Sequence, residues 1–408
     1  MRARAFRFAF GADVDRPLRP VVAVAFVGSV AGSTTWVFLG IWAKTHLHAT
    51  YSELGATYLV GATLAGLSGF LGGRLSDRVG RRPLILAGWG GQGVLMVAFA
   101  SVGQHLAAGL VVAALVPALG SIGNAADQAM VADLVPPGRH AAGYAATRVA
   151  SNLGVTLGPP LGGLLLLADS WPVFFVSGAV LSTIALLVAW RYLPRHGAFV
   201  PLEPPRRGSF GVIRRDRPFL LFLGSSSLAC MTYVCYEVLL PISLVATHGF
   251  PKWLWGMVVV VNPAFVAIFQ FRLIRWTAGV SPALKLAVAM PLMGLPFLLL
   301  GVSAALPVVI AIVVVFVVGE MLWIPTSQAA VAAFAPADIR GAYMGAFGGS
   351  WSVAWALGPF LGLQVRQLWG DAAMWSAVAV LSLFAAVAGA AALRGRGTPP
   401  VEAVASRA

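Results

Sequence analysis

Three carboxylic acids stand where they are costly to keep. Asp127, Glu237 and Glu320 each lie well inside a long apolar stretch. A charge at the centre of a hydrocarbon layer costs about 3 kcal/mol on insertion scales, so each needs a partner, a water-filled cavity or a proton. A carboxyl withdrawn from water favours its neutral form. A group that gains a proton on one side and loses it on the other can couple proton flow to other work. Arg148 lies at a depth similar to that of Asp127, so two roles stand open for this acid, a structural ion pair and a proton relay. Glu237, in TYVCYEVLLP, and Glu320, in VVGEMLWIP, have no basic residue at their depth in the neighbouring sequence. For both, proton handling stands beside a role as a protonated hydrogen-bond donor in packing.

Aromatic and amide residues supply the material for a cavity wall. Trp36, Tyr233, Tyr236, Asn262, Gln270, Trp323, Trp351 and Trp355, with Arg148, are the candidates. Trp351 and Trp355, four apart, share one helix face. Large apolar cavities with a few placed polar groups suit amphipathic ligands, although membrane helices also carry Trp for packing and anchoring. Other chemistry is poorly provided for. There is no His-Glu-x-x-His, no nucleophile elbow and no clustered His/Asp site, which argues against an enzyme, a metal or a cofactor. His46, His48, His105 and His248 fall near one set of helix ends, and His140 and His196 near the other. Cys230 and Cys235, five apart on one helix, point to different faces and suit neither a disulfide nor a metal.

The elements that hold these residues follow from composition. The 408 residues are 59% hydrophobic and only 10% charged, with a mean hydropathy of +0.85. Soluble chains run near half apolar and a quarter charged. Crossing a hydrocarbon core of ~30 Å takes ~20 mostly apolar residues. Such stretches recur at about 20–43, 52–74, 83–103, 107–131, 140–167, 171–190, 218–246, 252–275, 281–302, 306–330, 340–366 and 371–393, twelve in all. They are continuously apolar without alternation, which excludes a β-barrel. The expectation is an all-α integral membrane protein of twelve transmembrane helices.

Charge sets the orientation. The net charge is +14, and with twelve spans both termini and the even-numbered connections share one side. That side holds the arginines of residues 1–19, of residues 72–83 and of the 191–217 stretch, with Arg139, Arg340, Arg272, Arg275, Lys285 and the C-terminal arginines. The other side holds only Lys44, Lys252 and Arg366. The positive-inside rule makes the basic side and both termini cytoplasmic, in the cell (plasma or inner) membrane. Basic residues spread over loops argue against nucleic acid. Residues 1–19 lack an apolar core and a cleavage site, and read as a basic cytoplasmic lead-in before an uncleaved first helix.

The Pro- and Arg-rich stretch at 191–217 divides the chain into a bundle at 20–190 and a second at 218–393, followed by a tail at 394–408. An internal echo supports the division. VPPGRHAAGYAATRVASNLGVTLGPPLGG (135–163) and APADIRGAYMGAFGGSWSVAWALGPFLGL (335–363) align at a constant offset of 200 residues. Pro136 falls on Pro336, Gly158-Pro159 on Gly358-Pro359 and Gly162 on Gly362. Duplicated bundles with a site at the repeat interface are a common transporter design.

Five charges crowd into GGRLSDRVGRRP, residues 72–83, between the second and third spans. This stretch resembles the cytoplasmic signature of the major facilitator superfamily, Gly-x-Leu-Ala-Asp-Arg-x-Gly-Arg-Lys/Arg. Gly73, Leu75, Asp77, Arg78, Gly80, Arg81 and Arg82 match, and Ser76 replaces Ala. Gly73 suits close backbone approach and Gly80 a turn with positive φ. The resemblance implies two pseudo-symmetric six-helix bundles. It also implies that the cluster latches the halves in the outward-facing state, with Asp133, at the end of the fourth helix, as its acidic partner. The matching turn of the second half, RLIRWTAGVSP (272–282), lacks the Asp and the Gly-Arg-Arg, so such a latch is asymmetric. GVTLGPPLGG (154–163) resembles the fifth-helix antiporter motif of drug:proton exporters, with Gly154, Gly158, Pro159, Gly162 and Gly163 in place; Ala145 stands where the extended motif has Gly. Small residues four apart allow close helix contact, and a proline bends a helix.

The resemblance therefore implies secondary active transport: proton-coupled export of small amphipathic compounds by alternating access. The expected partners are a small-molecule substrate, protons and the lipid bilayer, with the monomer as the working unit. A sugar or metabolite facilitator or symporter is the alternative, and a non-transporting membrane sensor a more distant one.

Overall fold

A computed structural model of the chain describes residues 16–135, 140–194, 209–336 and 339–394. Most of the lead-in and tail, the centre of the 191–217 stretch, and Pro136 lie outside these residues. Among the described residues there is no strand, and the apolar stretches are all helical.

The first helix runs Arg19–Trp36 and, after a turn at Val37 and Phe38, continues as Leu39–Thr45; together these form α1. The next five are α2 (Tyr51–Val79), α3 (Arg81–Ser101), α4 (Leu106–Leu134), α5 (His140–Leu165) and α6 (Trp171–Tyr192). After a short helix at Ser209–Ile213 come α7 (Arg217–Ala246), α8 (Lys252–Val258 and Val261–Trp276), α9 (Pro282–Gly294, tightening into a 3-10 turn at Leu295–Gly301) and α10 (Leu306–Phe334). The last helical run, Arg340–Leu393, is two helices joined at Gly370, whose φ of 85° breaks the helical path. Its halves, 340–369 and 371–393, are α11 and α12. Among the described residues eleven helices are long and apolar enough to cross a membrane when the final run counts as one, and the break at Gly370 divides that run in two.

Local chemistry sets the boundaries. At the start of α2, Thr50 Oγ1 accepts from the Glu53 amide at 3.2 Å while Glu53 Oε2 accepts from the Thr50 amide at 2.8 Å, a reciprocal cap. Ser170 and Ser281 cap α6 and α9, each followed by a proline in the first turn. The break at Gly370 is held by Arg366, whose guanidinium pairs with Asp371 at 3.0 Å, and by Trp375 Nε1, which donates to the same carboxylate at 3.1 Å. Large side chains such as Phe70, Phe271, Val302 and Val387 are exposed on the outer helix faces. Such faces belong against lipid, since helices satisfy their own backbone and need no water.

The chain forms two compact units, Met1–Glu203 with Leu240–Pro263, and Pro204–Leu239 with Ala264–Ala408. In the first, Leu84, Ile85, Met130, Val131 and the start of α1 make one core. Trp42, Phe99 and Phe175 make a second, with ring centroids 4.7–5.2 Å apart. In the second unit, Phe297 and Trp375 stack at 4.7 Å, and Tyr236 stacks on Phe316 at 4.2 Å. The 200-residue echo has a structural counterpart. Gly158 and Gly162 of α5 pack on α1, and Gly358 and Gly362 of α11 pack on α7. Cys230 and Cys235 are both buried and unbridged.

Candidate functional site

The charged turn between α2 and α3 is a single residue, Gly80, with φ of 91°. That tight reversal brings Arg81 back over the last turn of α2. Its side chain is 7% exposed and central to the cluster. Nε donates to Asp133 Oδ2 at 3.0 Å, and Nη1 donates to Ser76 Oγ at 2.6 Å and to Asp77 Oδ1. Asp133 is as buried as Arg81, whereas the Asp77 side chain is 55% exposed. Asp133 thus ties the turn to the end of α4. Arg78 is exposed on α2, and Arg82 donates to the carbonyl of Trp190 on α6.

Two details differ from the sequence reading. The close approach falls on Gly72, where an added Cβ would lie 3.1 Å from Ile122 Cα, while Gly73 faces open space. The helical phase of α2 decides this. Ser76 also acquires a role that the family pattern, with Ala there, does not suggest. Its hydroxyl donates to the Gly73 carbonyl at 2.7 Å and accepts from Arg81.

Gly154, Gly158 and Gly162 form a stripe on α5 against α1. A Cβ at Gly154 would lie 2.6 Å from the Phe26 carbonyl, one at Gly158 2.8 Å from the Thr34 amide, and one at Gly162 2.6 Å from the Phe38 ring. Ser33 Oγ donates to the Ser29 carbonyl at 2.6 Å and lies 3.4 Å from that of Gly154. Gly163 points to another face, 2.5 Å from the Trp253 carbonyl on α8, and the Pro159 carbonyl crowds Gly256. The helix continues through Pro159 and Pro160. Near this crossing Asp169 accepts from Lys252, whose ammonium also lies 5.2 Å from the Trp171 ring centroid. That hydrogen bond holds the exposed Asp169 carboxyl below its usual range.

A cavity of about 580 Å³ opens among α1, α3, α4 and α5. Asp127 and Arg148 both line it, with Trp89, Gln92, Asn124 and Gln128. The two charges share the cavity without forming a salt bridge with each other, and Asp127 Oδ1 is buried with no hydrogen-bond partner. A structural ion pair between them is therefore not what the geometry contains.

In the second unit the remaining acids converge. Tyr233 hydrogen-bonds Glu237 one turn along α7, and Glu320 of α10 is close enough to act on the same tyrosine electrostatically. Around it stand Trp351 at 5.2 Å, Phe316 at 5.8 Å, and Trp323 and Tyr236 at 6.4 Å. Trp323 and Trp351 lie 5.7 Å from each other. Gln270 of α8 donates to the Met321 carbonyl at 3.1 Å, beside Glu320. Glu320, Trp323 and Ser327 are buried at spacings of three and four along α10, and Trp323 Nε1 and Ser327 Oγ have no hydrogen-bond partner.

Glu237, Glu320, Tyr233, Tyr236, Gln270, Trp323 and Trp351 are therefore brought together. Trp355 lies one turn beyond Trp351 on α11. Trp36, in the first unit, packs edge-to-face on Tyr58 at 6.3 Å, and Asn262 also belongs to the first unit. The sequence reading missed Trp89, Gln92, Asn124, Gln128 and Ser327. The signal available was amide spacing, since Asn124 and Gln128 are four apart on α4 beside Asp127.

The apolar helices of the described residues are those of a multi-pass membrane protein. The chain belongs to the Major Facilitator Superfamily, whose family model matches residues 21–359. It is similar to the MFS-type transporter YqjV of Bacillus subtilis, with 23% identity over 87% of this chain and 88% of that protein. It is also similar to the multidrug resistance protein MdtH of Edwardsiella ictaluri, with 28% identity over 68% of each chain. Among solved structures, the nucleoside transporter NupG superposes with a TM-score of 0.77 at 14% identity, over 93% of this chain and all of that one.

Proposed function

We propose that this protein exports small amphipathic compounds in exchange for protons, by alternating access in the cell membrane, with both termini cytoplasmic and the monomer as the working unit. The observation that carries the proposal is the convergence of Glu237 and Glu320 on Tyr233 within an aromatic cluster. Glu237 hydrogen-bonds the Tyr233 hydroxyl and Glu320 acts on the same tyrosine electrostatically, so a proton on either carboxyl changes the field at the other. The surrounding rings supply flat apolar surface for a ligand, and Trp323 Nε1 and Ser327 Oγ are donors still to be satisfied. In this reading a proton loads the pair from outside, the drop in negative charge releases the compound, and the proton leaves inward to reset the site. Asp127 is a further protonatable group in its own cavity. The Gly154–Gly158–Gly162 stripe supports antiport, because it resembles the exporter motif and gives α5 a close seat on α1. The named multidrug resistance relative supports the same substrate class.

A second reading, a facilitator or symporter of a polar metabolite, is favoured by the first unit's cavity, whose lining includes Asp127, Arg148, Gln92 and Asn124. Deleting and overexpressing the gene, then screening a broad compound panel, separates them. Export predicts raised tolerance and lowered accumulation of amphipathic compounds on overexpression. Lost growth on a single sugar or metabolite after deletion, with unchanged tolerance, overturns the export reading.

A further inference from the structure

The first unit has a second cavity that the transport reading leaves unused. It measures about 430 Å³ and is lined by Arg82, Trp190, Arg191 and Leu193, where the start of α3 meets the end of α6. Arg82 stands in the first turn of α3, which contains no acid and receives no side-chain cap from Gly80, so the helix end adds to the positive potential. One of its terminal nitrogens donates to the Trp190 carbonyl, and its Nε is buried with no hydrogen-bond partner. Arg191 lies in the last turn of α6, exposed, with its guanidinium 5.4 Å from the Tyr192 ring centroid. Neither arginine forms a salt bridge with a carboxylate among the described residues. Trp190 and Tyr192 are 56% and 59% exposed, the placement of aromatic residues at the level of lipid headgroups.

The arginine excess at this end follows from topology, but topology does not require a buried, unsatisfied Nε beside a cavity. Two guanidiniums without acids call for a ligand with several anionic oxygens, and planar guanidinium forks match phosphate oxygens in pairs. Trp190, which lines the cavity and is largely exposed, calls for that phosphate to be attached to an apolar body. We propose that this cavity binds the phosphodiester headgroup of an anionic phospholipid, with the Arg82 and Arg191 guanidiniums as donors and Trp190 beside the glycerol and upper acyl chains. Basic pockets between membrane helices bind such headgroups by this chemistry. The bound lipid fastens the end of α6 to the start of α3, next to the Arg81 cluster.

The test uses the purified full chain and native mass spectrometry, with phosphatidylglycerol, phosphatidylcholine and inorganic phosphate as probes. The wild-type protein should retain one phosphatidylglycerol in preference to phosphatidylcholine. Arg191→Gln, at an exposed helix end and with the Arg82–Trp190 contact intact, should weaken that retention roughly fivefold, and adding Arg82→Gln should weaken it further. Arg272→Gln with Arg275→Gln removes two charges elsewhere and should leave retention unchanged. Equal loss in that control pair reduces the site to diffuse attraction and overturns the proposal. So does unchanged retention in the Arg82 and Arg191 variants. Displacement of the lipid by millimolar inorganic phosphate, with no preference between the two lipids, assigns the site to a free anion and also overturns it.

Discussion

Arg81 shows how one side chain organises a cluster. Buried to 7% exposure, it meets Asp133, Asp77 and Ser76 at once. Removing a partner from a buried pair leaves an uncompensated charge, at a cost of roughly 3–5 kcal/mol. Asp133→Ala should therefore lower the thermal stability of the purified protein and its yield. Asp77 is more than half exposed, so Asp77→Asn should leave yield and stability near wild type while impairing transport. Normal transport by a well-expressed Asp77→Asn protein would return the cluster to a simple topology signal. Much of this was legible in the sequence, because Asp77, Gly80 and the Arg pair have meaning by spacing alone. The Ser76 hydroxyl was not. Its role depends on where the turn at Gly80 aims Arg81, a three-dimensional fact that spacing does not encode. The shift from Gly73 to Gly72 has the same origin, since neighbouring helical residues point about 100° apart.

At the scale of elements, glycines divide into those that must be glycine and those that need not be. Gly158→Ala puts a methyl into the backbone of α1 at Thr34 and should destabilise the protein by about 1–3 kcal/mol through overpacking. Gly73 is helical and open, so Gly73→Ala should keep or raise stability, by up to about 1 kcal/mol from helix propensity. Thermal unfolding of the two variants in the same detergent checks the contrast, and equal losses would contradict it. The helices themselves were readable from long apolar runs. Their internal interruptions, the turn at Val37 and Phe38 and the step between Val258 and Val261, were not. The composition stays apolar through both, so hydropathy has no way to mark them. The break between α11 and α12 was readable as a gap between runs, and Arg366, Asp371 and Trp375 supply its reason.

Across the whole molecule, the asymmetry of Lys and Arg predicts that both termini and the 191–217 stretch are cytoplasmic. Reporter fusions at residues 200 and 408 should be active only for cytoplasmic reporters, and an external 191–217 stretch would reverse every loop. Family and class were within reach of the sequence because the motif at 72–83 and the twelve runs are local signals. The meeting of Glu237, Tyr233 and Glu320 was not, since α7 and α10 are far apart in the chain and nothing in either announces the other.

The most direct measurement concerns proton coupling by that pair. Everted vesicles reconstituted with purified protein, given an imposed pH gradient and a compound identified by the tolerance screen, report uphill accumulation. Glutamine keeps the shape and much of the hydrogen bonding of glutamate but does not titrate. Glu320→Gln, or failing that Glu237→Gln, should abolish gradient-driven accumulation while retaining some ligand binding, and the double variant should show no uphill transport. If both single variants and the double variant pump as the wild type does, the pair does not carry the proton, and Asp127 becomes the acid to test.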